Sequence, residues 1–425
     1  MAVDAPGRII AGKYELVSPA GEGGMAVVWK SLARGAGSFA KPVAIKRIQH
    51  AKHADPAFVR MFEEEARVGA ELHHPNIVQI LDFGMDSEGG YYLVMEWIEG
   101  LDMFQWVRSH PKGLRETPWP LVAAIGMEMC RALAAAHERV DANGNAVPVY
   151  HRDVSPSNVL LGVNGVVKLT DFGLARAMDR ASMTRPNVIK GKLAYCAPEL
   201  ISGAKPSPHS DLFALGVVLW EALAQRRLFT GKNDLEVLLA VRKGEVPLLE
   251  ELRDDLPASL SLAIQTALAS TPEGRFETAK AMARTLAAVL RSEVEHADAE
   301  PLGASVRAAR TRLGRDPDDI TKAPAVAAAA ELDAPHAPVV PGQTPHLGSP
   351  RVHAQEPSLE LSMQDISLTD IDAVDDVPAS AAPAQSVTKA KTAVASDEER
   401  AQSRPRGLWQ RDDDSVAVPL LHKKK

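Results

Sequence analysis

His151-Arg152-Asp153-Val154-Ser155-Pro156-Ser157-Asn158, followed twelve residues later by Asp171-Phe172-Gly173, is the stretch that decides how this chain reads. It sets a carboxylate, an amide and a second carboxylate at short intervals around two strand-like runs, 159–161 and 166–169. Asp153 can accept a proton, and Asn158 and Asp171 offer the hard oxygen ligands that Mg²⁺ takes. Such a set suits chemistry on a magnesium nucleotide, carried on loops between strands.

Upstream, strand-like runs at 14–18, 27–31, 43–48, 77–83 and 91–97 alternate apolar and polar positions or are rich in β-branched residues, with glycines between them. One helical stretch, 55–72, interrupts them, with apolar residues at Phe58, Met61, Phe62, Ala66, Gly69 and Ala70. Between the first two runs lies Gly21-Glu22-Gly23-Gly24-Met25-Ala26-Val27-Val28. Glycines there let the backbone approach phosphate oxygens and present N–H donors, although a plain hairpin explains the same letters. Val43-Ala44-Ile45-Lys46 ends a strand in a lysine, and Glu65 follows nineteen residues later on the helical stretch. A glutamate so placed can hold the lysine toward nucleotide phosphates; taken singly, it is one of three adjacent carboxylates on a solvated face.

After Gly100 the pattern turns helical, at 121–137, 211–224, 235–243, 259–269 and 278–290. The folded part is therefore expected to be α+β, a small β-rich lobe with one helix followed by a larger helical lobe. From 291 to 425 the only aromatic is Trp409, and the chain is rich in Ala, Pro, Asp and Ser. Nearly all of the formal net charge of −7 lies in that stretch. Such a segment buries too little apolar surface to offset its ordering entropy, so it is expected to be mostly disordered. The division expected is an extension over 1–13, a catalytic domain over 14–290 and an acidic tail over 291–425. A near-neutral domain with an acidic tail gives no reason to invoke nucleic acid. Two cysteines, Cys130 and Cys196, make no disulfide framework. No basic-then-apolar leader is visible, and the run 212–223 is too short to span a bilayer. A cytoplasmic protein is the expectation.

Over 14–290 these motifs, in this order, resemble the eukaryotic-type (Hanks-type) serine/threonine protein kinases of bacteria. Gly21-Glu-Gly-Gly-Met25, Glu65-Ala-Arg67 and His74-Pro-Asn-Ile-Val78 are bacterial in flavour, and the phrase from His151 to Leu160 with the insert Asp141-Ala-Asn-Gly-Asn145 resembles kinases of myxobacteria. The resemblance implies a bilobal fold and transfer of the ATP γ-phosphoryl group to protein hydroxyls, with Mg²⁺ as the ion and Mn²⁺ as its alternative. It implies autophosphorylation in bacterial signalling, and protein substrates as partners. Lys46 then holds the α- and β-phosphates and Glu65 orients it, Asp153 is the base, and Asn158 and Asp171 hold the metal. Ala20, Gly21, Glu22, Gly23, Gly24, Met25, Ala26, Val28 and Ala44 surround the nucleotide. Met95 is the gatekeeper, and the backbone of Glu96 and Ile98 meets the adenine. Glu199, in Ala197-Pro198-Glu199, pairs with Arg275, and Asp211 braces the catalytic loop.

The chain departs from the family pattern at three points. Ala26 replaces the third glycine. Ser155 stands where a lysine normally faces the γ-phosphate, and Lys192, after Gly191, stands where a threonine is usual. The last two changes are expected to compensate, with Lys192 supplying the charge that position 155 lacks. Ser182 and Thr184 are candidate phosphorylation sites able to dock on Arg152. Cys196 reads as structural rather than redox-active. Residues 359–377 read as solvated chain, with a docking segment as the alternative. A pseudokinase scaffold that binds nucleotide without efficient transfer is the competing reading, and a small-molecule phosphotransferase or a tyrosine kinase stand further off.

Overall fold

Alternation of buried and exposed side chains along residues 9–96 builds one antiparallel sheet with a helix on it. Its elements are β1 (Ile9–Ile10), β2 (Tyr14–Glu22), β3 (Ala26–Arg34), β4 (Ala40–Ile48), α1 (Pro56–Ala70), β5 (Ile80–Met85) and β6 (Tyr91–Glu96). The strands lie in the order β1-β2-β3-β4-β6-β5. One apolar cluster joins Phe62 and Ala66 of α1 to Val78, Leu93 and Met95. A second gathers Ile10, Tyr14, Leu16, Trp29, Ile45 and Val94. In this computed structural model the described residues are 4–23, 26–49, 56–111, 117–172, 192–293 and 299–315.

The second lobe holds β7 (Gly100–Asp102), α2 (Met103–Arg108), α3 (Trp119–His137), β8 (Val159–Gly162) and β9 (Val167–Leu169). It continues through α4 (Pro198–Ile201), α5 (Pro208–Ala224), α6 (Asp234–Lys243), α7 (Leu249–Leu252), α8 (Ala258–Ala267), α9 (Ala279–Glu293) and α10 (Ala299–Arg312). Helix α5 is buried on every side from Ser210 to Ala224. An all-round buried helix needs well-paired ends. Pro208 opens it, and a reciprocal capping box between Ser207 and Ser210 satisfies its first donors. Helix α3 is 19 residues long with a mean hydropathy of 1.2, long and apolar enough by length and composition to cross a membrane. In this fold it is a core helix: Ile125, Met129, Cys130 and Leu133 are fully buried among α5, α9 and β9 residues.

One expectation needs correction, and two elements fall outside the expected domain bounds. The strand expected over 77–83 begins later, because Ile77 forms an isolated bridge with Leu169 and the Val78 N–H donates to the Leu169 carbonyl at 2.9 Å. Those backbone groups bind β9 instead of the sheet. Within the expected extension, Ile10 is 1% exposed and β1 pairs with β2, so those residues pack on the first lobe. Helix α10 lies inside the stretch expected to be disordered, and its Leu302, Val306 and Ala309 are buried in the main core. Spacing of four and three residues puts these on one helical face, which supplies the apolar contact the composition of the whole tail obscures. Residues 316–425, with the segment 359–377, lie outside the described residues.

Candidate active site

The two lobes meet at a cluster of charges built around one buried lysine. Lys46, on β4, donates to Glu65 Oε1 at 2.7 Å and to Asp171 Oδ1 at 2.9 Å. Strand β4 is central in the sheet and α1 lies against it, so a side chain near the strand's end meets one that points inward from the helix. Burial works against the Lys46 charge, but Asp171 and Glu65 together hold its pKa above the ordinary lysine value. Burial pushes Glu65 up to about 7, with Lys46 opposing and Asp171 adding to the rise. Burial acts the same way on Asp171, yet Lys46 and then Lys192 hold that carboxyl below its ordinary range. Two carboxylates share one ammonium there, which leaves a negative balance that favours a further cation.

Asp171 sits at φ 64° and Arg152 at φ 65°, the left-handed region that non-glycine residues rarely occupy. Such strain persists only where the surroundings enforce it. At position 152 the enforcing group is Asp211, 1% exposed at the start of α5. Its Oδ2 accepts the His151 N–H and its Oδ1 the Arg152 N–H, both at 2.8 Å, and His137 Nε2 lies 2.8 Å from Oδ2. Burial raises the Asp211 carboxyl, but His137 and the backbone donor hold it below the ordinary carboxylate range. His151 is fixed in turn: Nε2–H donates to the Thr170 carbonyl at 2.9 Å, and Nδ1 accepts from the Asp153 N–H at 3.2 Å. The Phe172 ring packs edge-on against His151, centroids 4.5 Å apart. The expectation that Asp211 braces the loop matches this arrangement.

Asp153 is thereby presented between two partners. Asn158 Nδ2 donates to the Asp153 carbonyl at 2.8 Å and to its Oδ2 at 3.0 Å. The Lys192 ammonium also meets Asp153 Oδ2. Ser155 is only 2% exposed, and its hydroxyl pairs with Ser157 Oγ at 3.2 Å. The Lys192 ammonium therefore lies against the Asp153 side chain, while position 155 carries no charge.

On the other side of the cleft, β2 and β3 pair Gly21 with Val28 and Glu22 with Val27. The Gly23 N–H donates to the Ala26 carbonyl at 2.9 Å, and Gln49 Nε2 donates to the Gly23 carbonyl at 3.0 Å. Gly24 and Met25 lie outside the described residues, as do Gly173, Ser182, Thr184 and Gly191. Ala20, Ala26 and Ala44 are buried, and Val28 packs with Met95 in the cluster beneath α1. Ala44 and Met95 are direct neighbours across β4 and β6. The Glu96 N–H donates to the Gln79 carbonyl at 2.9 Å, so Glu96 has no backbone N–H to offer a ligand. That narrows the expectation of a backbone contact to its carbonyl and to Ile98. A small recess behind Met95 is lined by Glu65, Gly69, Ile80, Asp171 and Phe172.

Arg275 closes the far end of the site. It donates to Glu199 through Nη1 and Nη2 at 2.7 and 2.8 Å and lies over the Phe213 ring at 4.8 Å. Its side chain is 0% exposed, so Glu199→Ala strands a buried charge. The expected cost is about 3 kcal/mol of unfolding free energy. Urea denaturation reads it, and an unshifted midpoint argues that the pair is not holding α4 in place. Glu99, just beyond the inter-lobe hinge of residues 92–98, escaped the sequence reading altogether. A glutamate in a short connection carries no pattern, and its cationic partners, Lys30 and Arg310, are distant in sequence.

A β-sheet lobe with one helix, a helical lobe, and a lysine, glutamate, aspartate and asparagine converging between them define a protein kinase domain. The family profile described as protein kinase domain matches residues 14–286. The chain belongs to the protein kinase family. It is 42% identical over 296 residues to the tyrosine-protein kinase MasK of Myxococcus xanthus, covering 70% of this chain and 46% of that one. It is 34% identical over 280 residues to the serine/threonine-protein kinase PrkC of Bacillus subtilis, covering 65% and 40%. The same 34%, over 287 residues, holds for the serine/threonine-protein kinase PknA of Mycobacterium tuberculosis, covering 67% and 62%. The chain thus spans less than half the length of the first two relatives. A crystal structure of the Mycobacterium tuberculosis PknI kinase domain superposes with a TM-score of 0.51 at 29% identity, covering 68% of this chain and all of that domain.

Proposed function

We propose that this chain is an active serine/threonine protein kinase that transfers the γ-phosphoryl group of ATP to protein hydroxyls. The observation that carries the reading is the assembled charge set: Lys46 on both Glu65 and Asp171, and Asn158 and Lys192 both on Asp153. A scaffold that only binds nucleotide has no need for the Asp153 half of that set.

Phosphoryl transfer asks the protein mainly for position and charge neutralisation. Lys46 holds the α- and β-phosphates, with Glu65 fixing its direction. Asp153 accepts the proton of the acceptor hydroxyl, held in place by the Asn158 amide. Lys192 offers a positive charge beside Asp153, where position 155 has none. Asn158 commits its amide N–H to Asp153 and keeps an oxygen to offer, and Asp171 adds carboxylate oxygens; a donor set of hard oxygens fits Mg²⁺, or Mn²⁺ in its place. An ion held by Asn158 and Asp171 would supply positive charge to offset that of the phosphates. Ala20 to Val28, Ala44, Met95, the Glu96 carbonyl and Ile98 enclose the nucleotide.

Serine/threonine specificity is supported by the names of PrkC and PknA and by the layout Lys192-Leu193-Ala194-Tyr195. The relative MasK is named a tyrosine kinase, which makes tyrosine the second reading. Incubation of the full chain with γ-labelled ATP, Mg²⁺ and a generic protein acceptor, followed by phosphoamino-acid analysis, separates the two. Phosphoserine and phosphothreonine are expected. Phosphotyrosine alone overturns the specificity, and no labelled protein overturns the activity. The proposal extends to autophosphorylation at Ser182 or Thr184, to a role in bacterial signalling and to a docking function for 359–377. A reducing, cytoplasmic location fits the two free cysteines, and cell fractionation tests it.

A further inference from the structure

The strongest unexplained contact lies outside the matched kinase residues. Arg310, on α10, has a side chain 2% exposed, and its guanidinium meets Glu99 Oε1. Glu99 follows directly on the hinge. Its Oε2 also accepts Trp97 Nε1–H at 2.9 Å and Lys30 Nζ at 3.3 Å. Lys30, 3% exposed on β3, stands over the Trp97 ring at 5.0 Å. Burial raises the Glu99 carboxyl, but Trp97, Arg310 and Lys30 outweigh it and hold the group ionised.

One carboxylate therefore joins three elements: a strand of the first lobe, the hinge and a helix that follows the catalytic domain. Strand β3 matters here because it also carries Val28, and Lys30 is paired in register with Ala44. Both neighbours belong to the proposed nucleotide enclosure. The helix itself is held hard against the second lobe. Trp106 Nε1–H donates to Ser305 Oγ at 3.0 Å, and Arg307 donates to the Val163 carbonyl. A Cβ at Gly303 comes within 2.7 Å of the same carbonyl, so a glycine is what lets the helix backbone approach the β8–β9 turn. Arg312 Nε donates to the Ser109 carbonyl at 2.9 Å.

We propose that α10 is a hinge brace: Arg310 is a positioning residue that, through Glu99, fixes Trp97 and Lys30 and so sets how tightly the cleft holds nucleotide. The functional unit of this kinase then includes residues 299–315, beyond the end of the family match at 286. Charge-assisted bonds of this buried kind hold geometry that a free hinge samples only part of the time. The inference rests on the kinase reading above, since it supposes that the cleft binds ATP.

The test uses the full chain, a fluorescent ATP analogue with Mg²⁺ and parallel thermal unfolding. Arg310→Met is expected to weaken nucleotide binding about tenfold, the scale of one lost charge-assisted bond, and Arg310→Lys to recover most of it. Glu99→Gln keeps the shape and an acceptor for Trp97, and is expected to weaken binding by a similar factor. The double variant is expected to bind no more weakly than the worse single, since both remove one link. Lys243→Ala, which removes an exposed pair with Glu245 at the end of α6, serves as the control and is expected to bind like the parent. A purely structural role lowers the melting temperature of Arg310→Met and leaves the affinity of the folded protein alone. Should Arg310→Met fail to fold, Glu99→Gln decides. Parental affinity in the folded variants overturns the brace alone; a parent protein that binds no nucleotide overturns the kinase reading and the brace with it.

Discussion

Asp153→Asn is expected to lower phosphoryl transfer about 10³-fold while ATP binding stays within twofold of the parent, the scale set by general base catalysis. The substitution is close to isosteric, and the loop that carries it is held by other groups. Asp211 takes the His151 and Arg152 N–H groups, and His151 Nδ1 takes that of residue 153. None of these bonds uses the Asp153 side chain. What the substitution removes is a carboxylate oxygen that accepts from Asn158 Nδ2 and meets the Lys192 ammonium. An amide in its place can still accept from Asn158, but it cannot take a proton from a substrate hydroxyl. The loss is therefore expected in kcat and not in the affinity for ATP, which is held by Lys46 and the groups around it. Initial rates with labelled ATP, together with nucleotide binding measured separately, check both halves. Equal labelling by parent and variant removes Asp153 from the mechanism.

The second large effect concerns the charge beside that base. Lys192→Thr restores the residue usual in this family and is expected to lower kcat about 10²-fold, as loss of a single preorganised charge does. Ser155→Lys alone is expected to be harmful as well. Position 155 is buried and its hydroxyl is paired, so a lysine there must thread its stem past packed groups. Its ammonium would then approach the one already on Asp153 Oδ2, and like charges at one carboxylate repel. With both changes made together the repulsion is gone and the charge is supplied from the catalytic loop. The double variant is expected to recover at least tenfold over Lys192→Thr alone, a coupling that the four rates of the cycle measure directly. Simple addition of the two single losses would falsify the exchange of Ser155 and Lys192, and Lys192 would then be a partner of Asp153 with no part in replacing a charge at 155.

Much of the site was legible because its signals are local. A strand ending in lysine, a helical glutamate nineteen residues on, and an aspartate five residues before an asparagine are each weak singly, and it is their order along the chain that carries the resemblance. Lys46, Glu65, Asp171, Asp153 and Asn158 do converge, and Glu199 does meet Arg275. The proposed exchange between Ser155 and Lys192 came from two departures from one family pattern, 37 positions apart. The structure brings the Lys192 ammonium onto Asp153, two residues from the vacated place.

Where the reading failed, the cause was long range. Ile77 looks like a strand residue by its neighbours, yet its backbone is taken by Leu169. Ile9 and Ile10 are too short a run to announce a strand until β2 offers an edge to pair with. Helix α10 hides within a composition that, averaged over 291–425, cannot form a core. Its buried apolar side chains are Leu302, Val306 and Ala309, and its decisive residue is an arginine that composition counts as surface.

The order of the motifs and the type of most elements were therefore set by the sequence alone, because each depends on residues within a few positions of one another, and the resemblance carried by that order named the candidate reacting groups. What only the tertiary structure decided is where the domain ends and what steadies its hinge. Arg310 is buried because Glu99, 211 positions earlier, waits beside Lys30 and Trp97 to neutralise it. No local pattern records a charge whose partner the fold must first deliver.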